Sequence, residues 1–137
     1  MSFEHLGDIN DRLDAKLLKA VFGKAVKRCS DNSTSCDEIV FVVEGLCLHV
    51  SVNVDTDEIT LEILSGEPAW FDGWTRLDDL VGHIGMTFGW FWGARNHQGY
   101  ADLLLLAFGG DVPDALSPRL ALLAEGSAIS LLRLTRL

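Results

Sequence analysis

The sequence predicts an α+β fold from three features. These are one N-terminal amphipathic stretch, a change to two-residue periodicity from Glu38 onward, and turn residues placed between apolar runs. The expected architecture is an N-terminal helix packed on a strongly bent antiparallel sheet or partial β-barrel of about six to eight strands.

The helix is read over residues 9–21. Ile9, Leu13, Leu17 and Val21 recur at every fourth position, and Asp11, Arg12, Asp14, Lys16 and Lys19 occupy the other sides. Asp8 suits the N-cap, acids near the start and lysines near the end follow the helix dipole, and Gly23 suits the C-terminal stop. A short strand is expected over residues 24–29, and the Ser/Asp/Asn/Thr stretch 30–35 reads as a polar loop.

From Glu38 a three-stranded meander is expected. A turn at Glu44-Gly45 pairs Val43 with Leu46, Phe41 with Leu48 and Ile39 with Val50. A second turn over residues 55–58 pairs Val54 with Ile59, Val52 with Leu61 and Val50 with Ile63. The opposite face, from Val40, Val42, Cys47 and His49 to Asn53 and Glu62, is apolar at one end and polar at the other. The N-terminal helix is the expected cover for the apolar end.

Further along, Leu77 to Val81 suits one helical turn. Residues 86–95 and 100–108 suit a hairpin pairing Arg95 with Tyr100, Gly93 with Asp102 and Phe91 with Leu104. Both of its faces are apolar, which predicts a sandwiched hairpin rather than a sheet edge. Residues 120–124 and 129–136 suit a last hairpin, although the final Leu-rich run also fits a helix. A single domain over residues 1–137 is expected, because no linker, repeat or low-complexity tract interrupts the chain.

Composition narrows the function. Of 137 residues, 20 are acidic and 11 basic, a formal net charge of −9. The imbalance is local: residues 31–94 hold twelve acids against Arg76 alone. Nucleic-acid binding rests on clustered Lys/Arg and is strongly disfavoured, so no nucleic-acid partner is expected. No apolar run approaches the ~18 residues of a membrane helix. The start, Met1-Ser2-Phe3-Glu4-His5, lacks a secretory signature. With three cysteines, Cys29, Cys36 and Cys47, this predicts reduced thiols and a cytoplasmic location.

The catalytic motifs are missing: there is no Gly-x-Ser-x-Gly elbow and no phosphate-cradling glycine loop. Cys29, Cys36 and His49 lack the close spacing of zinc ligands. Asp55-Thr56-Asp57-Glu58 is half of a calcium loop without its glycine and bidentate glutamate, and reads as a turn. His49, beside Cys47 and Glu62, is the histidine expected to feel its surroundings most. No enzyme, metal or cofactor is expected.

Trp90-x-Trp92, then Asn96-x-Gln98-Gly99-Tyr100-x-Asp102, a Leu-rich strand and Ser127-x-Ile129 resemble a small bacterial single-domain family of unknown function. The resemblance spans residues 38–132. It implies a sheet-dominated α+β fold and supplies no activity or site residue.

Two candidate sites follow. Arg95, Asn96, His97, Gln98, Tyr100 and Asp102 at a hairpin tip, with Trp90 and Trp92 nearby, suit a ligand, haem or another planar molecule being the sharpest version. Turn chemistry and an Arg95–Asp102 pair explain the same tip structurally. Glu58, Glu62, Glu67, Asp72, Asp78 and Asp79, with Trp70 and Trp74 as anchors, suit a basic protein partner. The function expected is therefore a non-enzymatic interaction protein, an immunity-type or regulatory protein in one form. The alternative is a small-molecule binder, and a homodimer through residues 120–137 is a third reading.

Overall fold

The computed structural model describes residues 6–30, 33–66, 73–109 and 116–134. Helix α1 (Leu6–Leu13) leads into strands β1 (Leu18–Lys24), β2 (Lys27–Ser30), β3 (Ser33–Cys36), β4 (Glu38–Val43), β5 (Leu46–Asn53), β6 (Glu58–Ser65) and β7 (Trp74–Arg76). One helical turn, α2 (Asp78–Val81), precedes β8 (Phe88–Arg95), β9 (Ala101–Phe108), β10 (Leu120–Glu125) and β11 (Ala128–Arg133). The strands form two antiparallel sheets, of five in the order β6-β5-β4-β1-β7 and six in the order β2-β3-β11-β10-β9-β8.

The class is broadly α+β, but two sheets replace the expected single bent sheet or partial barrel. Each sheet has an apolar inner face, and burying the two against each other removes both from water without closing either sheet. Ile39, Phe41, Val50 and Ile59 of the first sheet join Leu104, Leu106, Leu122 and Ile129 of the second in one core. Phe88 is an aromatic hub of that core, with ring centroids 6.0 Å from Phe41, 5.5 Å from Phe91 and 5.2 Å from Phe108.

The long N-terminal helix is corrected. Helix α1 ends at Leu13, Ala15 takes a left-handed φ of 61°, and residues from Leu18 pair with β4. A four-residue spacing of apolar side chains fits a helix, yet β1 also buries Leu18, Ala20 and Val21, and Leu17 is exposed. The sheet offers residues 18–24 both hydrogen-bond partners and burial, and tertiary pairing overrides the helical pattern. Gly23 serves close packing instead of a helix stop. A Cβ there would lie 2.7 Å from Leu77 Cδ1 and 2.8 Å from Val26 Cγ2.

The meander holds, with one register correction. Ile39 faces Val50, Phe41 faces Leu48 and Val43 faces Leu46, as expected. The second hairpin is shifted by two residues: Val52 faces Ile59, Val50 faces Leu61 and Leu48 faces Ile63. Asn53 decides this. Its carbonyl accepts from Asp57 N at 2.8 Å, and its Oδ1 accepts from Asp55 N at 2.9 Å, which draws the loop to residues 54–57. A shift of two leaves every side chain on its expected face.

The expected loop at residues 30–35 contains strand instead. β3 lies beside β11, with Thr34 facing Leu131 and buried. A Ser/Thr strand shows no apolar alternation, so only pairing reveals it. The strand expected over residues 24–29 falls partly at the end of β1 and partly in β2. Leu77–Val81 carries the expected helical turn, and the C-terminal Leu-rich run is strand β11. Its hairpin turns at Gly126 and Ser127, both at left-handed φ, 59° and 62°.

The β8–β9 hairpin is present, but β8 ends its sheet instead of being sandwiched between strands. Bulges shift its register, so Phe91 faces Leu106, Gly93 faces Leu104 and Arg95 faces Ala101. Helix α1 packs on β8, so helix covers apolar surface that the pattern assigned to a neighbouring strand.

Candidate functional site

The placement of α1 creates the most site-like surface among the described residues. The helix lies against β8, while β6 ends the other sheet, leaving a groove between helix and edge strand. The groove has a volume of about 570 Å³ and is lined by Asp8, Ile9, Asp11, Arg12, Leu61, Glu62 and Ile63. Ile9, Leu61 and Ile63 provide apolar surface, and three carboxylates face one guanidinium around it. Helical spacing explains the division: Ile9 and Leu13 turn inward, while Asp8, Asp11 and Arg12 stay exposed. A smaller hollow of about 260 Å³ flanks the other side of α1, with Trp90, Phe91, Leu6 and Asp11 among its lining residues.

The acidic residues expected to form one partner surface are dispersed. Glu62 lines the groove. Glu58 is engaged structurally, its Oε2 accepting from Ala101 N at 3.0 Å and joining the two sheets. Asp78 and Asp79 lie on α2, beside β1 and away from the β6 edge. Asp78 Oδ1 accepts from Val21 N at 2.9 Å, and Oδ2 from Arg76 Nε at 2.6 Å. Trp74 is half-buried and packs on Ala20, Val40, Val42 and Cys47. That apolar end of the outer face is therefore covered partly by β7, and helix α1 sits elsewhere. Glu67, Trp70 and Asp72 lie outside the described residues.

The hairpin tip is organised around its own backbone. Asn96 Oδ1 accepts from Gln98 N at 2.9 Å and Tyr100 N at 3.2 Å, and its Nδ2 donates to Asp102 Oδ2 at 3.3 Å. Arg95 Nη1 donates to the Gly99 carbonyl at 3.2 Å. His97 and Tyr100 are exposed. Trp90 is 50% exposed and lines the smaller hollow, whereas Trp92 is half-buried opposite Leu105. The tip residues and the tryptophans thus form no common pocket among those described.

On the outer face of the first sheet, His49 Nε2 lies 2.6 Å from Glu38 Oε1, and Lys24 Nζ is 3.4 Å from Glu38 Oε2. The fold opposes protonation of His83, by burial first and then by Arg119 and Arg133. Cys36 and Cys47 are buried and Cys29 is exposed, all three as free thiols. Burial, aided by Asp37, pushes the Cys36 thiol up to about 11, and burial raises that of Cys47.

A family model matches residues 1–137, that of a family of unknown function, DUF6334. The chain belongs to that family. Neither the curated proteins nor the solved structures compared with it include a match. Membership in DUF6334 agrees with the resemblance seen in the sequence and, like it, assigns no activity. Sequence reading missed the role of α1 in the groove, because Asp8 and Asp11 were fully explained as helix-start residues. It also missed His83, Arg119 and Arg133, which are brought near one another only by sheet pairing.

Proposed function

We propose that the protein is a non-enzymatic binding protein that holds a basic, extended segment of a partner protein in the groove between α1 and β6. The groove itself carries the reading: an acidic rim of Asp8, Asp11 and Glu62 around Ile9, Leu61 and Ile63, beside a strand that ends its sheet. An edge strand presents backbone donors and acceptors that an incoming strand can pair with, independent of its side chains. Apolar surface takes alternate side chains of that segment, and carboxylates select lysine or arginine among them. An immunity-type or regulatory protein acting in the bacterial cytoplasm is one form of this activity.

The test is titration with a short peptide alternating lysine and valine, followed by amide chemical shifts. Saturable shifts confined to α1 and β6, weakening as salt rises and lost in Asp11→Asn/Glu62→Gln, are expected. Shifts spread over the whole acidic surface, or none at all, overturn it.

Trp90 favours a second reading, in which the smaller hollow takes a planar ligand such as haem against its indole. Haem titration should then quench tryptophan fluorescence stoichiometrically in the native chain and less in Trp90→Leu. A dimer formed by adding strands at β10 or β11 is disfavoured, since both edges of each are already paired.

A further inference from the structure

We propose that His83, Arg133 and Arg119 form a binding site for a small oxyanion of the phosphate class. The site lies at the end of the six-stranded sheet opposite the Asn96 hairpin tip, and shares no residue with the α1–β6 groove. Three segments converge there. Gly109 N donates to the Thr87 carbonyl, Arg119 N to that of Leu106, and Leu134 N to that of Arg119, each at 2.8 Å. Arg119 is thereby held between the ends of β9 and β11, next to Arg133. The segment after α2 lies against this junction, with the His83 ring stacked on Phe108 at 4.8 Å and 13°.

Two details point to a ligand. His83 Nδ1 is buried and has no hydrogen-bond partner among the described residues, and a buried polar atom is ordinarily satisfied. The Arg133 guanidinium lies over Gly82, its Nη2 3.1 Å from where a Cβ on that residue would sit. Among the described residues, no hydrogen bond or ion pair engages that guanidinium.

The chemistry fits an oxyanion. A guanidinium offers a rigid fork of N–H donors, and a neutral imidazole offers one more. Phosphate has acceptor oxygens enough for all of them, and its charge offsets the repulsion between two arginines. Burial and the same two arginines hold His83 neutral, which suits it to donate one hydrogen bond. In a chain of net charge −9, these cations stand out as a local reversal of sign.

The experiment is titration of the full chain with inorganic phosphate at constant ionic strength, read by ¹⁵N NMR at the amides of Gly82, His83 and Arg133. Saturable shifts are expected there, with the dissociation constant raised about tenfold in Arg133→Gln, the loss of a charge-assisted hydrogen bond. His83→Gln serves as a second variant, and each variant's dispersed spectrum reports that it folds. Linear shifts, equal shifts with chloride, or unaltered saturation in both variants overturn the site. Tighter saturation by acetate than by phosphate overturns the phosphate assignment.

Discussion

Ser127 N donates a 2.8 Å hydrogen bond to Asp57 Oδ1, so the turn of the β5–β6 hairpin holds the turn of the β10–β11 hairpin. The residues are 70 positions apart, on different sheets, and both have left-handed φ, 56° and 62°. Each turn conformation aims its residue at the other. Asp57→Ala should destabilise the fold by about 1–2 kcal/mol, from the lost hydrogen bond and the left-handed backbone that alanine tolerates poorly. Asp57→Asn should cost less, since asparagine keeps Oδ1 and accepts this conformation. Urea denaturation midpoints for the two variants check the order; an alanine variant as stable as the native chain contradicts it.

Gly23 is a packing residue. A methyl group there would meet Leu77 Cδ1 at 2.7 Å, Val26 Cγ2 at 2.8 Å and Cys36 Sγ at 3.0 Å. Gly23→Ala should cost about 1–3 kcal/mol by overpacking. The penalty should shrink in a Leu77→Ala background, which vacates the tightest contact. A double-mutant cycle by chemical denaturation measures this coupling, and additive effects would show that the two residues do not compete for space.

The three thiols should differ in reactivity. Thiolate is the reactive form, and Cys36 is both buried and shifted to about 11, while Cys29 is exposed. At pH 8 under native conditions a thiol reagent should modify one cysteine quickly, Cys29, and the other two only after denaturation. Mass mapping of the labelled peptide decides it; fast labelling of Cys36 would mean that β3 opens readily.

Stability should depend on pH through His83. Its pKa is lowered in the folded chain by burial, then by Arg119 and Arg133. The unfolded chain therefore binds a proton that the folded one resists, and stability falls as pH drops below the ordinary histidine value of about 6.5. His83→Gln should flatten this part of the curve. Thermal melts from pH 7.5 to 5.5 measure the slope, and an unchanged slope in the variant assigns the effect to another group.

Much of this fold is legible locally. The β4–β5 hairpin follows from the Glu44-Gly45 turn, which sets apolar residues opposite one another, and the β10–β11 turn follows from Gly126-Ser127. The helix at residues 9–21 misleads because one apolar spacing serves both a helix and a short strand. The α1–β6 groove was half visible: Glu62 was a candidate, while Asp8 and Asp11 already had a sufficient local explanation. Of the hairpin-tip residues, Asn96 bonds the backbone of Gln98 and Tyr100 and the Asp102 carboxylate, and Arg95 bonds the Gly99 carbonyl, so these contacts serve the turn.

The sequence by itself determined the acidic balance, the alternation that puts Phe41, Leu48, Val50 and Ile59 on a buried face, and the turns that connect neighbouring strands. These depend on residues close together in the chain, where period and turn chemistry act directly. Tertiary structure alone decided that residues 18–24 and 33–36 are strands and that two sheets stack. It also decided that Asp8 and Glu62 line one groove and that Arg133 lies over Gly82, near His83. Those outcomes rest on pairing and burial between segments tens of residues apart, where no local spacing carries the information.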